Sequence, residues 1–426
     1  MSPRPTRARL LILALLFVGT LINYLDRTVI SVAALPMREE LGLDAAVMGV
    51  VFSAFSWTYA AAQIPGGLLI DRIGVRLAYF LSVSLWSAFT LLHGFTTGLV
   101  SLLGYRLGLG VAEAPAYPCN SRVLNSWFPQ SERARATGVY SVGQYAGLAF
   151  LSPLLFWIVA SFGWRMLFIS AGVAGLLFAL LWWWLYRDPS QSQRINQAEM
   201  DYITAGGAVA APAAPIAFSW SNISFLLKQR QVLGASIGQF TSNSTLVFFL
   251  TWFPTYLATE RHMGWIKVGF FSVMPYIAAA VGVLAGGVLS DLLLKRSGSA
   301  NVARKLPIVA GLLLASTIVT ANFVDTDVLV IAVMSVAFFG QGMCNLGWTL
   351  ISDVAPRELI GLTGGLFNLC ANLAGVITPL VIGFIVAYTG SFYWALAYIA
   401  TLAVLGVLSY VFVVGDVKRV VWQAAP

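Results

Sequence analysis

The sequence predicts an all-helical integral membrane protein of twelve transmembrane helices, arranged as two six-helix bundles. Three observations carry this: a composition too apolar to face water, apolar windows that fall into two sets, and an internal repeat relating one set to the other. Of 426 residues, 59% are hydrophobic and 10% charged, whereas an ordinary soluble domain carries about 25% charged residues. A hydrocarbon layer about 30 Å thick needs about 20 apolar residues per helical crossing, and only helices or closed barrels satisfy their backbone polar groups there. The apolar runs are long and continuous, without the period-two alternation of a barrel strand, which makes them helices.

Taken in order, the first window, 10 to 33, follows Arg4, Arg7 and Arg9. It is a full-length span with no small-residue cleavage site, so it is expected to stay as an uncleaved anchor. Further windows fall near 46 to 70, 77 to 96, 98 to 121, 134 to 160 and 164 to 185. The second set lies near 231 to 258, 266 to 289, 305 to 323, 328 to 351, 359 to 387 and 392 to 414. The stretch 187 to 230 between them carries Asp188-Pro189, several charges and a Gly/Ala/Pro-rich run from Ala205 to Ala217, the composition of a flexible linker. The expected organisation is therefore an N-terminal bundle over 1–186, a cytoplasmic linker over 187–230 and a C-terminal bundle over 231–426.

Lys and Arg fall unequally on alternate sides of these spans. With the N-terminus inside, nineteen of the 25 basic residues lie on the inner side, and four, Arg38, Arg165, Arg261 and Lys267, on the outer. The positive-inside bias then predicts both termini in the cytoplasm. The net charge of +8 is spread over short loops rather than gathered on one soluble face, which argues against a nucleic-acid partner. Cys119, Cys344 and Cys370 are far apart in apolar segments, without metal-ligand spacing. With His93 and His262 as the two histidines, near predicted loops, a metal centre or histidine relay is not expected. A nucleophile–base pair and a phosphate loop after a strand are also missing from the pattern, so an enzyme is not expected.

The two halves repeat. A shift of 220 residues lays Ile64 to Arg76 on Leu284 to Arg296, matching Gly66, Gly67, Leu69, Asp71 and Arg76. A shift of 226 aligns Glu132, Thr137, Gly138 and Pro153 with Glu358, Thr363, Gly364 and Pro379. Parallel repeats of this kind predict similar bundles with a site between them near the membrane midplane, and with it alternating access.

Between the second and third spans, Gly67-x-x-x-Asp71-Arg72-x-Gly74-x-Arg76 resembles the signature loop of the major facilitator superfamily, with a degraded copy starting at Gly287 and Asp291. Gly67 is expected to permit close helix approach, and Asp71 with the basic residues to bond across helix ends in one transport state. The copy lacks the second glycine and the adjacent arginine. In the first span, Asn23-Tyr24-Leu25-Asp26-Arg27 resembles the anion:cation symporter branch of that superfamily, above all its bacterial sugar-acid transporters for galactonate, glucarate and hexuronates. The resemblance covers nearly the whole chain. It implies the major facilitator fold, a bacterial inner-membrane location, a monomer, and a small organic anion as cargo with protons as coupling ion and no other cofactor.

Four ionisable residues lie inside predicted spans: Asp26 and Arg27 on the first, Arg106 and Glu113 on the fourth. A charge at mid-membrane costs at least about 2.5 to 3.5 kcal/mol on insertion scales, so each should face a cavity or a partner. Arg106 and Glu113 are seven residues apart, on one helix face and roughly 10 Å apart along the axis. Asp26 and Arg27 splay by about 100°, which predicts crossed pairing between the two helices. An inert pair of salt bridges is the plainer alternative, disfavoured because buried ion pairs stabilise poorly compared with apolar packing. Two acids and two bases in one site form a coupled titration whose balance changes when an anion arrives. Arg27 is assigned to the substrate carboxylate, which arginine can hold bidentately, Asp26 and Glu113 to proton binding, and Arg106 to regulation of the acids.

The second half adds polar and aromatic candidates without charge: Gln239, Asn243, Trp252 and Tyr256, then Asn345, Trp348 and Thr349, then Asn368 and Asn372. Tyr24, Tyr59 and Gln144 lie across from them. The resemblance to galactonate-type carriers singles out Tyr59, Gln144, Trp348 and Asn368 as contacts, although polar residues in membrane helices also serve as packing glue. Trp182, Trp183 and Trp184 are expected as interfacial anchors. The leading expectation is proton-coupled uptake of a sugar acid. Carriage of an aromatic or other monocarboxylate and a non-transporting sensor are the alternatives; organic-phosphate exchange and efflux of apolar cations fit the charges less well.

Overall fold

The computed structural model describes residues 5–208 and 220–422, and is all-helical over them. Arg4 and most of the Ala205 to Ala217 run lie outside the described residues. Among those described, nine helices are long and apolar enough to cross a membrane. The remaining crossings come from interrupted helices. The helices are α1 (Ala8–Leu41), α2 (Ala45–Ile73), α3 (Val75–His93), α4 (Leu99–Glu113), α5 (Ala116–Trp127) and α6 (Gln130–Leu185). After the short helices α7 (Gln197–Ala205) and α8 (Trp220–Lys228) come α9 (Arg230–Thr251), α10 (Phe253–Thr259), α11 (Trp265–Ser297) and α12 (Ala300–Ser316). The last are α13 (Asp327–Met343), α14 (Gly347–Val354), α15 (Ile360–Thr389) and α16 (Tyr393–Leu408).

Helix α6 is 56 residues long but is two crossings, broken at Gly163, whose φ of 81° and ψ of 167° are open to glycine at no steric cost. Helices α4 and α5 form one interrupted crossing around Ala114-Pro115, because a proline in the helix interior removes a hydrogen bond and crowds the preceding turn. Helices α13 and α14 are interrupted at the matching place in the other half, through a 3₁₀ turn at Cys344–Leu346. Helices α9 and α10 break at Trp252, ahead of Pro254. Counted this way the crossings are six and six, which realises the repeat seen in the sequence.

The chain divides into two compact units, residues 1–43 with 54–213, and 44–53 with 214–426. The first unit is built around an aromatic core: Trp182 stacks on Tyr186 at 4.2 Å and lies 4.3 Å from Tyr79. Trp182 is therefore core rather than an interfacial anchor. Trp183 receives the Arg76 guanidinium over its ring at 4.0 Å. Trp184, 72% exposed, keeps the position of an anchor. In the second unit Phe249 stacks on Phe338 at 4.0 Å, and Tyr410, Phe367, Leu312 and Ile308 are fully buried or nearly so.

Part of the stretch expected as flexible linker is a docked helix. Asn196 caps α7, its side chain accepting from the Glu199 N–H at 2.9 Å. The Glu199 carboxylate is buried and accepts from Thr6 Oγ1 at 2.6 Å, from the Ala8 N–H at 3.0 Å and from Arg9 Nη1 at 2.8 Å. Gly206 O accepts from the Gln130 N–H at 2.8 Å, and Gly207 O from Arg133 Nη2 at 2.8 Å. These bonds tie α7 to the start of α1 and to the start of α6.

Candidate functional site

The mid-membrane charges of the first unit gather around α1. Asp26, Arg106 and Glu113 are 2%, 4% and 0% exposed. Arg27 Nε donates to Glu113 Oε1 at 2.8 Å, and Nη2 approaches the same oxygen, so Oε2 is left without a hydrogen-bond partner. The pair is thus not the parallel two-by-two fork that Arg and a carboxylate can form, and the guanidinium keeps donors that Glu113 does not occupy. Three rings surround the cation: Tyr24 at 5.2 Å, Phe55 at 5.1 Å and Tyr59 at 4.9 Å from Arg27 Cζ. Phe55 also carries Arg106, whose Cζ lies 5.1 Å from its centroid, so one ring contacts both arginines. A guanidinium over an aromatic face gains from the ring quadrupole while staying away from its like charge.

Local sequence explains the placement. Glu113 ends α4 just before the Ala114-Pro115 interruption, which fixes its carboxylate at the inner break of a crossing rather than on a continuous helix. Gly110, one turn earlier, lets α4 press on α2: a Cβ there would collide with the Phe55 carbonyl oxygen. Thr58 closes the same contact by donating to Leu107 O at 2.7 Å. Phe55 and Tyr59, four residues apart on one face, are stacked at 5.2 Å and so both reach Arg27.

Of the crossed pairs expected, Arg27 with Glu113 forms. Asp26 instead turns to α3, where Trp86 and Thr90 point their N–H and hydroxyl at it without closing a bond of regular geometry. Asn23 stands likewise beside Glu113. Tyr24 and Tyr59 join the cluster, and Gln144 sits half-buried on α6 in the same unit. In the second unit, Trp348 is 40% exposed and packs edge-on to Phe367 at 5.0 Å. Asn368 is half-buried, its carbonyl oxygen accepting from Asn372 Nδ2 at 3.0 Å. Trp252 and Tyr256 are buried, with Trp252 Nε1 donating to Pro379 O at 3.2 Å, which makes them packing residues. Asn243 Nδ2 is similarly engaged with Ala371 O at 2.5 Å. Sequence reasoning passed over Phe55, Asn23, Trp86 and Thr90. The spacing Asn23–Asp26 and Trp86–Thr90, one turn in each case, was the available signal.

In the loop motif, Asp71 is ion-paired with Arg122 of α5, and Arg76 Nη2 donates to Trp183 O at 2.6 Å. Gly74 holds φ 78° where the chain turns from α2 into α3. Gly67 does not make the close approach expected of it, since a Cβ there would meet nothing within 4 Å; Gly66 does, against Pro115 at 3.2 Å. In the degraded copy the ionic work passes to other residues: Arg304 donates to Asp353 Oδ2 and to Ser290 Oγ, both at 2.8 Å. Among the described residues no group of His, Cys, Asp and Glu side chains is arranged to hold a metal ion.

Residues 16–379 match the family model described as Major Facilitator Superfamily. The chain is 44% identical to a D-galactonate transporter of Escherichia coli O6:H1, over 98% of each sequence. It is 42% identical to a probable galactarate/D-glucarate transporter of Escherichia coli K12, over 97% of this chain and 95% of the relative. With a hexuronate transporter of Bacillus subtilis it shares 33% identity, over 95% and 94%. Among solved structures, a bacterial homologue of the human lysosomal transporter Spinster, in an inward-facing and occupied conformation, superposes with a TM-score of 0.73. It does so at 19% identity over the full length of both chains, a likeness of fold. With its interrupted crossings, its signature loop and its buried charge cluster, this chain belongs to the major facilitator superfamily and is a multi-pass membrane transporter, not an enzyme.

Proposed function

We propose that the protein takes up a sugar acid such as galactonate, glucarate or a hexuronate together with protons, by alternating access. The observation that carries this reading is Arg27: a cation ringed by Tyr24, Phe55 and Tyr59, held by a single oxygen of Glu113 and keeping donors for a second carboxylate. Arg27 receives the substrate carboxylate. Glu113 must then loosen its hold, and protonation is the means, since a neutral carboxyl competes less well for a guanidinium than a carboxylate does. Asp26 is the second proton site, and Arg106, which contacts the same Phe55 ring, sets the charge balance of the acids. Tyr24, Tyr59, Gln144, Trp348 and Asn368 supply neutral donors and acceptors for the hydroxyl groups. The names of the relatives, carriers of galactonate, galactarate, glucarate and hexuronate, support this class of cargo.

The proposed setting is the bacterial inner membrane, as a monomer with both termini in the cytoplasm, on the positive-inside distribution of Lys and Arg. The signature loop then faces the cytoplasm and the His93 end of α3 faces outward. A second reading, uptake of an aromatic monocarboxylate, draws on the three rings around Arg27. Uptake of labelled galactonate, glucarate, glucuronate and benzoate into proteoliposomes, with and without an acid exterior, separates the two. Accumulation of one sugar acid that depends on the gradient is expected; accumulation of benzoate alone overturns the sugar-acid reading.

A further inference from the structure

Helix α3 carries a polar stripe that the binding of an anion does not explain. Trp86, Thr90 and His93 are spaced by four and three residues and so share one face, with Thr96 just beyond the helix end. They are 0%, 2%, 1% and 0% exposed. Trp86 Nε1, Thr90 Oγ1, His93 Nε2 and Thr96 Oγ1 all lack a protein hydrogen-bond partner, as do both oxygens of Asp26, towards which Trp86 and Thr90 point. Polar groups buried in this way are met in proteins by ordered water. From Trp86 to Thr96 the rise is about 15 Å, half of a hydrocarbon layer about 30 Å thick. Successive members stand about 4.5 to 6 Å apart along the axis, the span that one bridging water covers.

His93 is shaped for such a file. Its Nδ1 lies 2.6 Å from the Phe89 carbonyl oxygen, which can only accept, so Nδ1 carries the proton and Nε2 presents a lone pair. The ring is fixed between Phe168, stacked at 5.1 Å, and Tyr105 at 5.7 Å. The charged and titratable groups around the stripe are Arg106 and Tyr105 of α4 beside His93, and Glu113 beside Asp26. At the outer end Arg165 donates to Thr96 O at 2.8 Å and pairs with Glu40 at 2.7 Å.

Resting on the symport reading above, the geometry points to a hydrated proton route along α3, from the outer end at Thr96 through His93 and Thr90 to Asp26, separate from the path of the substrate. Each water and the Thr90 hydroxyl take one proton and give up another; His93, whose Nδ1 proton is held by the Phe89 carbonyl, takes the proton on Nε2 as a transient imidazolium and releases it from the same nitrogen, and the proton ends on a carboxylate oxygen of Asp26, which it neutralises. Substrate enters at Arg27, which points about 100° away from Asp26 around α1, and does not use the file.

The test compares gradient-driven galactonate uptake with galactonate counterflow at equal pH, in proteoliposomes of the full chain. His93→Leu is expected to lower the initial gradient-driven rate about tenfold, one hydrogen bond's worth at about 1.4 kcal/mol, while counterflow continues. His93→Gln, which keeps a polar acceptor, should recover most of the rate. Thr90→Val replaces a hydroxyl by a methyl of the same size; it should lower the ratio of uptake to counterflow, with Thr90→Ser restoring it, and it carries the test if His93→Leu does not fold. Unchanged ratios in His93→Leu and Thr90→Val overturn the route, as does an equal loss of uptake and counterflow. A wild-type protein that exchanges galactonate but ignores a pH gradient overturns the symport reading itself, whereas a coupled wild type with unaffected variants refutes the route alone.

Discussion

Replacing Glu113 with Gln separates binding from coupling, because in the proposed symport Glu113 competes with the substrate for Arg27. The bond at stake runs from Arg27 Nε to Glu113 Oε1 at 2.8 Å, with the carboxylate fully buried. A hydrogen bond to a charged group contributes about 1.5 to 3 kcal/mol net, and one between neutral groups about 0.5 to 1.5. Gln keeps the shape and one acceptor but not the charge, so Arg27 becomes cheaper to detach by about 1 to 1.5 kcal/mol, roughly tenfold in affinity. Titration calorimetry of the detergent-solubilised protein at alkaline pH should therefore find galactonate bound about tenfold more tightly by Glu113→Gln than by the wild type. The difference should shrink as pH falls, since protonation brings the wild-type side chain to the same neutral state. Gradient-driven accumulation in proteoliposomes should fall to background, because an amide neither takes up nor releases a proton in this pH range. Wild-type accumulation by the variant, or an affinity that keeps the full pH dependence of the wild type, would remove Glu113 from the mechanism.

Arg27→Ala deletes the cation itself; truncating a buried, hydrogen-bonded charge partner costs at least about 2 kcal/mol, so Kd for galactonate should rise about thirtyfold or more, and normal affinity in calorimetry would sink the carboxylate clamp. Glu199→Ala leaves Arg9 without one of its two carboxylates and strips a capped helix of its anchor, at about 3 to 5 kcal/mol for breaking a buried pair. A lower thermal midpoint and faster proteolysis near Asn196 are expected, and neither would occur if α7 were a passive spacer. In the second unit a Cβ at Gly49 would stand 2.6 Å from the Pro379 carbonyl oxygen. Gly49→Val should thus lower stability by about 1 to 3 kcal/mol, read as a shifted thermal midpoint, and an unshifted one would show that α2 can move away from α15 without cost.

The spans and the charges were legible in the sequence because both depend on composition along a single helix. Arg106 and Glu113 share a face by spacing alone, and Arg27 with Glu113 followed from the need of each buried charge for a partner. The turn of Asp26 towards α3 did not follow: adjacent residues splay by about 100°, but which helix lies on that side is a matter of packing. Trp86 and Thr90 were hidden because a tryptophan and a threonine inside an apolar window read as ordinary membrane residues. Three consecutive tryptophans look alike in sequence, yet helical geometry sends Trp182 into the core and Trp184 outward, and leaves Trp183 at the edge to receive Arg76. Helix α7 carried a usable signal, Asn196 followed three residues later by Glu199, the pattern of a capped N-terminus. The alanine and glycine content downstream masked it.

The unequal division of charge between the halves bears on how the proposed symport is built. All four ionisable residues of the mid-membrane cluster belong to the first unit, and its interrupted fourth crossing places Glu113 at the break. The second unit has an interruption at the matching place, but the ion pair next to it, Arg304 with Asp353, sits near helix ends as the counterpart of the loop motif. Insertion of a charge costs about 2.5 to 3.5 kcal/mol at mid-membrane, so a repeat that does not use charges there has every reason to lose them. In the proposed symport the first unit would then perform the proton chemistry, and the second would supply neutral recognition through residues such as Trp348 and Asn368. Substitutions at those two positions should then alter which acid is carried while leaving the dependence on the pH gradient in place. Substitutions at Asp26 and Glu113 should do the reverse.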